Sequence, residues 1–239
     1  GPVTAAGAIA LANAETLAAL TVLQLARPGS PYVYGGNVSV MDMRTSMFTY
    51  GAPEFHMAFA AFADLGHHYG LPIWGLAGAS DAKTLDAQAA SEAAYEILLA
   101  RLSGSNLVHD LGYLNTGLTA SMELIVLCDE IVDYTNRIAR GIEVNERTLA
   151  LDVIDEVGPR GHFLESDHTV ENFRSCIWEP GLFDRNSYDA WKDAGGRDLF
   201  ARLNARVKEI LANHQVEPLS DEVSTRIARI LDDREKLAE

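Results

Sequence analysis

A chain of 239 residues, 48% of them hydrophobic, can bury a substantial core and fits one or two ordinary domains. Nineteen basic residues against thirty-four acidic ones leave a net charge of −15, which opposes binding to nucleic acid or anionic lipid and suits cationic ligands and basic partner surfaces. No run of about 18 apolar residues passes without polar interruption, and residues 1–26 carry Glu15 and no basic leader, so the reading is a cytoplasmic protein with no membrane span.

Taken in order, Thr4 to Ala26 is an Ala-rich helical run whose apolar stripe is supplied by Leu11, Leu17, Leu20, Leu23 and Leu25, and Pro28-Gly29 stops it. Pro31 to Gly35 follows as a strand. The connection Gly36 to Ala52 is far longer than the usual strand-to-helix loop. Its Met41, Met43, Met47, Phe48 and Tyr50 argue against disorder, because such residues are depleted in unstructured chain. Phe55 to Tyr69 is the next helix, with Phe55, Phe59, Phe62 and Leu65 at core spacing and Gly66 to Gly70 ending it. His67 and His68 favour its C-terminal end.

Leu71 to Leu76, Lys83 to Arg101 and Asn106 to Val108 read as strand, helix and strand, one βαβ unit. Parallel strands joined this way put the two loops that follow them, Ala77 to Leu85 and His109 to Thr116, on one edge of a sheet. Leu118 to Arg140 is then a long helix with Leu124, Ile125, Leu127, Ile131 and Ile138 inward. Thr148 to Val157, Thr169 to Cys176, Tyr188 to Ala194, Leu199 to Asn213 and Ser220 to Leu237 are helices separated by Pro, Gly and Asp, with no convincing strand among them. Cys128 and Cys176 lack metal-site spacing, and Cys128, inside MELIVLCDEIV, reads as a buried free thiol. Gly75 to Gly78 has neither the spacing nor the lysine of a phosphate loop.

Two constellations carry possible chemistry. Asp81 and Lys83 just beyond a strand end, with Asp86 after them, fit a lysine Schiff-base site if Lys83 is desolvated. The same letters fit a Ser80-Asp81 helix cap with Lys83 in the first turn and Asp86 facing solvent. His109-Asp110 ends a strand, where the histidine is either a general base or a hydrogen-bonded structural residue. The second constellation is aromatic: Tyr34, Trp74 and Tyr113 come from consecutive strands, and with Asp81 or Asp110 they would cage a quaternary ammonium. Each ring alone fits a core position as well, and strand alternation lets only some of them face a common site.

GLAGASDAKTLDAQAASEAAYEILLA followed by GSNLVHDLGYLNTGLTAS resembles the trimethylamine methyltransferase family that feeds corrinoid proteins. GPVTAAGAIALANAE, GAPEFHMAFA, GHFLESDHTVENFR and WEPGLFDRNSYDAW are similar to further segments of that family and stand in the same order. Members are about twice this long, and the present chain resembles their C-terminal half. The resemblance implies an α/β fold, with residues 1–143 as part of a (β/α)8 TIM-type barrel and 144–239 as a helical extension packed on it. It implies transfer of a methyl group from a methylated or quaternary amine, of the trimethylamine or glycine betaine type, to the Co(I) of a separate corrinoid protein. No cofactor would be tightly bound. Archaeal trimethylamine members use an in-frame pyrrolysine, whereas a large set without it acts on quaternary amines; this sequence shows only ordinary residues. Tyr34, Asn37, Trp74, Asp81, His109, Asp110 and Tyr113 are the candidate substrate-binding residues, chosen by their place at strand ends, and no catalytic residue is assigned. The competing readings are a Schiff-base lyase using Lys83 and a non-catalytic acidic helical module. The implied partners are a corrinoid protein and a small methylated amine, with either homo-oligomers or association with the missing N-terminal half to cover open strand edges.

Overall fold

The computed structural model describes residues 1–235. The architecture is α/β and helix-rich. In chain order it comprises α1 Ala5–Ala26, a hairpin of β1 Met41–Asp42 and β2 Met47–Phe48, α2 Pro53–Tyr69, β3 Trp74–Leu76, α3 Ala87–Ser103, β4 Leu107–His109, a second short pair of β5 Tyr113–Leu114 and β6 Thr119–Ala120, and α4 Met122–Ala139. Six further helices follow: α5 Glu146–Leu149, α6 Leu151–Val157, α7 Asp167–Cys176, α8 Tyr188–Asp193, α9 Leu199–Asn213 and α10 Asp221–Glu235. Leu237, expected to end the last helix, lies outside the described residues.

The βαβ unit forms as the sequence predicts. β3 and β4 run parallel, with Trp74 opposite Leu107 and Leu76 opposite His109, and α3 crosses between them. The expected strand Pro31 to Gly35 contracts to one parallel bridge between Tyr34 and Ile73, made by Tyr34 N donating to Pro72 O and Trp74 N donating to Tyr34 O, both at 2.8 Å. Among the described residues the strands otherwise pair only in twos, and they close no barrel.

Two helix starts differ from expectation for the same reason. The helix expected from Lys83 begins at Ala87, because Asp86, not Ser80 or Asp81, accepts from the backbone N–H groups of Gln88 and Ala89. A cap of this kind contributes about 0.5–2 kcal/mol. The helix expected from Leu118 begins at Met122, because Thr119 and Ala120 pair with Leu114 and Tyr113 and Ser121 takes the cap, accepting from Leu124 N.

The core is small-residue packing around α3. Ala89, Ala93, Ile97 and Ala100 meet Leu124, Leu127, Cys128 and Ile131 of α4, with Leu203 of α9 completing the cluster. Alanine on one helix face allows the close approach that α3 makes to α4, and α2 packs on the other side of α3. Ile125 and Ile138, expected inward, are about half exposed, since the buried stripe of α4 runs through Leu124, Leu127 and Ile131. Cys128 is buried as read, and its Sγ lies 3.6 Å from Gly78 O as a donor. Burial pushes its thiol up to about 12.

Helix α1 is long and apolar enough to cross a membrane by length and composition alone, in contrast to the expectation of no such span. Its polar groups are nevertheless spent on the body of the chain. Tyr34 Oη donates to Asn13 Oδ1 at 2.7 Å, Asn13 Nδ2 donates to Tyr69 Oη at 3.0 Å, and Tyr32 Oη donates to Thr16 O at 3.0 Å. The rest of the helix is open: none of its residues is buried, and Val22 and Leu25 are largely in solvent. The outer edge of β4 is also unpaired among the described residues, with Leu107 and Val108 exposed. Unpaired strand edges and apolar helix faces of this size template association. In sedimentation, the 239-residue chain alone is expected to run as a dimer or larger species, and a well-behaved monomer would contradict this reading of its open faces.

Candidate functional site

At the C-terminal ends of the adjacent parallel strands lies an open cleft of about 310 Å³, whose walls include Asn37, Tyr50, Phe59, Trp74, His109 and Asp110. Its floor is made possible by glycine. A Cβ on Gly35 would fall 2.8 Å from Trp74 O, and one on Gly36 would fall 2.7 Å from the Phe62 ring, so the chain passes this close only without side chains there.

The cleft pairs aromatic faces with one carboxylate. Trp74, half exposed at the start of β3, meets the His109 ring edge-to-face at 5.2 Å. His109 Nδ1 lies 2.6 Å from Asp110 Oδ1. An ionised carboxylate only accepts, so that contact keeps a proton on Nδ1 and leaves Nε2 for a ligand. Tyr50 Oη donates to Asp110 Oδ2 at 3.4 Å, and burial, reinforced by the Asp110 charge, raises the Tyr50 phenol above its ordinary value. Asp110 adopts φ +72°, in the left-handed region where non-glycine residues are uncommon. Such strain is maintained only where the surroundings over-determine it, and it clusters at ligand sites. Here the carboxylate is fixed from two sides, by Tyr50 and by His109.

Of the seven sequence-predicted residues, Asn37, Trp74, His109 and Asp110 share this cleft, and Tyr34, Asp81 and Tyr113 do not line it. Tyr34 points the other way, into the core between α1 and α2. It is fully buried, its ring lies 5.6 Å from Phe62 and 5.5 Å from Tyr69, and burial pushes its phenol up to about 12. Asp81 is a backbone clamp: its carboxylate accepts from Tyr50 N at 2.7 Å and Gly51 N at 3.0 Å. The ring of Tyr113 is exposed outside the cleft, and its backbone carbonyl accepts from Ser80 N. Lys83 is exposed, and its Nζ donates to Asp81 O at 2.6 Å, so it lacks the desolvation that a Schiff-base amine requires.

Tyr50 and Phe59 complete the aromatic wall, and neither stood among the candidates. Tyr50 was marked by its loop, whose apolar residues predicted order, but only the Asp81 clamp reveals that its ring turns toward Asp110. Behind the cleft, α3 places Glu92 and Glu96 one turn apart. Glu92 Oε2 accepts from Ser80 Oγ at 2.6 Å and Asp81 N at 2.9 Å. Glu96 Oε2 accepts from Ala79 N at 2.8 Å, while its Oε1 has no hydrogen-bond partner and lies 3.5 Å from His56 Nδ1. Desolvation dominates both members of that contact, pushing Glu96 up to about 9 and His56 down. The 3.5 Å approach is therefore one between neutral groups at neutral pH rather than an ion pair.

Glu96 makes stability depend on pH in a defined direction. Its folded value lies above the ordinary carboxyl value of 4.5, so the proton supports folding fully below about pH 4.5 and that support is lost as pH rises through about 9. Glu96→Gln cannot ionise. Thermal melts of the two proteins should diverge between pH 5 and pH 9 as the wild type falls, by roughly 2–4 °C for each kcal/mol lost. Parallel curves over that range would mean that the carboxyl titrates as it does in water.

The model of the family described as trimethylamine methyltransferase (MTTB) matches residues 1–238. A glycine betaine methyltransferase from Desulfitobacterium hafniense strain Y51 is 35% identical over 99% of this chain and 49% of its own length. Trimethylamine methyltransferase MttB1 from Methanosarcina mazei is 35% identical over 98% of this chain and 47% of its own length. Trimethylamine methyltransferase MttB from Desulfitobacterium hafniense strain DCB-2 is 34% identical, again over 98% and 47%. The chain thus spans about half the length of the curated relatives it matches. A match along almost all of these residues, with the βαβ unit and its cleft inside it, places the chain in the trimethylamine methyltransferase (MTTB) family.

Proposed function

We propose that this chain forms part of a methyltransferase that takes a methyl group from a quaternary amine and delivers it to a corrinoid carried by a separate protein. The observation that carries this reading is the cleft itself, whose lining brings Trp74, Tyr50 and Phe59 together with Asp110. A fully methylated nitrogen offers no N–H, so a protein holds it with ring faces, carboxylates and carbonyl dipoles. Relatives named for glycine betaine and for trimethylamine bracket the substrate class. The quaternary member suits a chain of ordinary residues better. Loss of methyl from it releases a neutral tertiary amine, which needs alignment and desolvation rather than covalent activation.

In this reading Trp74 and Asp110 hold the cation, and His109, its Nδ1 fixed by Asp110, turns Nε2 toward a substrate carboxylate such as that of a betaine. The corrinoid would supply the nucleophilic cobalt, collinear with the methyl carbon and nitrogen, from the open side of the cleft. Phe48, whose ring lies 5.2 Å from that of Tyr50, is exposed with Met41 and Met47 of the same hairpin, apolar groups fit to meet a partner protein rather than water. Residues 1–143 would be part of a (β/α)8 barrel completed by the other half of the length that the relatives have, with residues 144–239 packed outside it. The parallel β3–α3–β4 unit, with Tyr34 bridging Ile73 after α1, supports that arrangement.

Calorimetry on the complete protein tests the cation site. Glycine betaine is expected to give heat and its tert-butyl isostere, 3,3-dimethylbutyrate, little or none. Equal heats for the two ligands would remove the basis for a cation site. Trp74→Ala should weaken betaine binding by about 1 kcal/mol, or roughly fivefold, as befits a ring still partly open to water. Against the lyase alternative, borohydride with small aldehydes or keto acids should leave Lys83 without added mass.

A further inference from the structure

Glu96 stands in the one place on α3 where chemistry is least expected. Its side chain is withdrawn entirely from solvent, on a face otherwise made by Ala89, Ala93, Ile97 and Ala100. Burying a carboxyl costs several kcal/mol unless its hydrogen bonds are made, and an apolar residue would fill the same space at less cost. The carboxyl's use must therefore lie in what it holds.

It holds a turn. Glu92 and Glu96 project from successive turns of α3, and between them they accept from Ala79 N, Ser80 Oγ and Asp81 N, polar groups of three consecutive residues. That turn follows β3 directly. From it Asp81 reaches across to Tyr50 N and Gly51 N, and a Cβ at Gly51 would fall 2.5 Å from Glu92 Oε2, so the two loops are pressed against the same Glu92 carboxylate. Tyr50 carries the contact on to Asp110, Asp110 to His109, and His109 to the edge of Trp74. Resting on the cleft reading above, we propose that Glu96 is a positioning residue for the methyl-transfer site. It acts by accepting from Ala79 and so setting the turn that seats Asp81, Tyr50 and Asp110.

The role asks for an acceptor and not for a charge. Glutamine in the same place keeps a carbonyl oxygen for Ala79 N, and its amide can donate to His56 Nδ1, giving a partner to the position that Glu96 Oε1 leaves without one. Leucine matches the volume and removes the acceptor. Transfer along a collinear path depends on alignment, so loss of the acceptor should appear in kcat more than in KM.

The test uses the complete protein labelled with fluorotryptophan, with the Trp74 resonance identified by Trp74→Phe, together with methyl-transfer kinetics on a reduced corrinoid protein. Glu96→Gln is expected to leave the Trp74 resonance in place and kcat within about threefold of wild type. Glu96→Leu is expected to move or broaden the Trp74 resonance before any ligand is added, with Trp178 and Trp191 unmoved. It should also lower kcat about tenfold or more while KM changes less than about threefold. A Glu96→Leu protein that only melts earlier, with the Trp74 signal and kcat of wild type, would overturn the proposal, as would a Glu96→Gln protein as impaired as Glu96→Leu. If the leucine variant fails to fold, Glu96→Asp, one methylene shorter, takes its place: displacement of the Trp74 signal supports the proposal and wild-type behaviour overturns it. Should betaine leave wild-type Trp74 unchanged, the substrate reading fails, while the ligand-free comparison still reports whether Glu96 sets the cleft.

Discussion

Parallel pairing over a few residues decides where everything else in this chain can be. Tyr34 bridges Ile73, and β3 lies along β4 from Trp74–Leu107 to Leu76–His109. In a parallel arrangement every strand leaves the sheet at the same edge, so the segments after Tyr34, Leu76 and His109 emerge side by side. The cleft takes Asn37 and Asp110 from these exits and Trp74 and His109 from the paired strands themselves. Short strands are adequate because their neighbours do the fixing. Gly112 N donates to Gly78 O, Asn115 N to Ala82 O and Ser80 N to Tyr113 O, so that the two loops beyond β3 and β4 are bonded to one another almost as strands would be.

Glycine and left-handed backbone make that loop–loop pairing possible. Gly78 and Gly112 both take positive φ, and a Cβ on Gly78 would fall 2.5 Å from the Leu111 side chain. Any other residue at Gly78 would meet both steric exclusion and an unfavourable backbone region. Asp110, Asn115 and Thr116 take similar values without being glycine. Aspartate and asparagine tolerate them better than most residues, so an Asp at position 110 reconciles a cleft-lining carboxylate with a tight exit from β4.

The legibility of this architecture follows the range of the forces involved. Helices α1, α2 and α9 could be bounded from Pro, Gly and periodicity because their ends are set within a few residues. The βαβ unit was legible because apolar runs and an Ala-rich helix repeat the same local signals. Asp86 as the cap of α3 was misassigned, because Ser80-Asp81 offers an equally good local cap and only tertiary pairing of the 77–82 turn withdraws it. Tyr34 illustrates the opposite limit. Its position beside a strand end suggested the cleft, yet Asn13, more than twenty residues earlier, takes its hydroxyl and turns the ring inward. Tyr50 and Glu96 depend on contacts 60 and 17 residues distant in sequence, and no local pattern announces either.

Charge distribution bears on how an acidic chain could keep the proposed cation site selective. A net −15 spread over the surface attracts any cation, but beyond about 10 Å of water at moderate salt that attraction is largely screened. Selectivity must come from groups that water does not reach freely. Around the cleft the carboxylates are sorted accordingly: Glu96 is kept neutral by burial, Glu92 and Asp81 are occupied by donors from the chain, and Asp110, with Tyr50 and His109 at its two oxygens, remains facing the aromatic wall. Under the proposed reading Asp110 is the carboxylate at the rings, and a quaternary nitrogen, which has no N–H and asks for no hydrogen-bond acceptor, is the ligand that suits it.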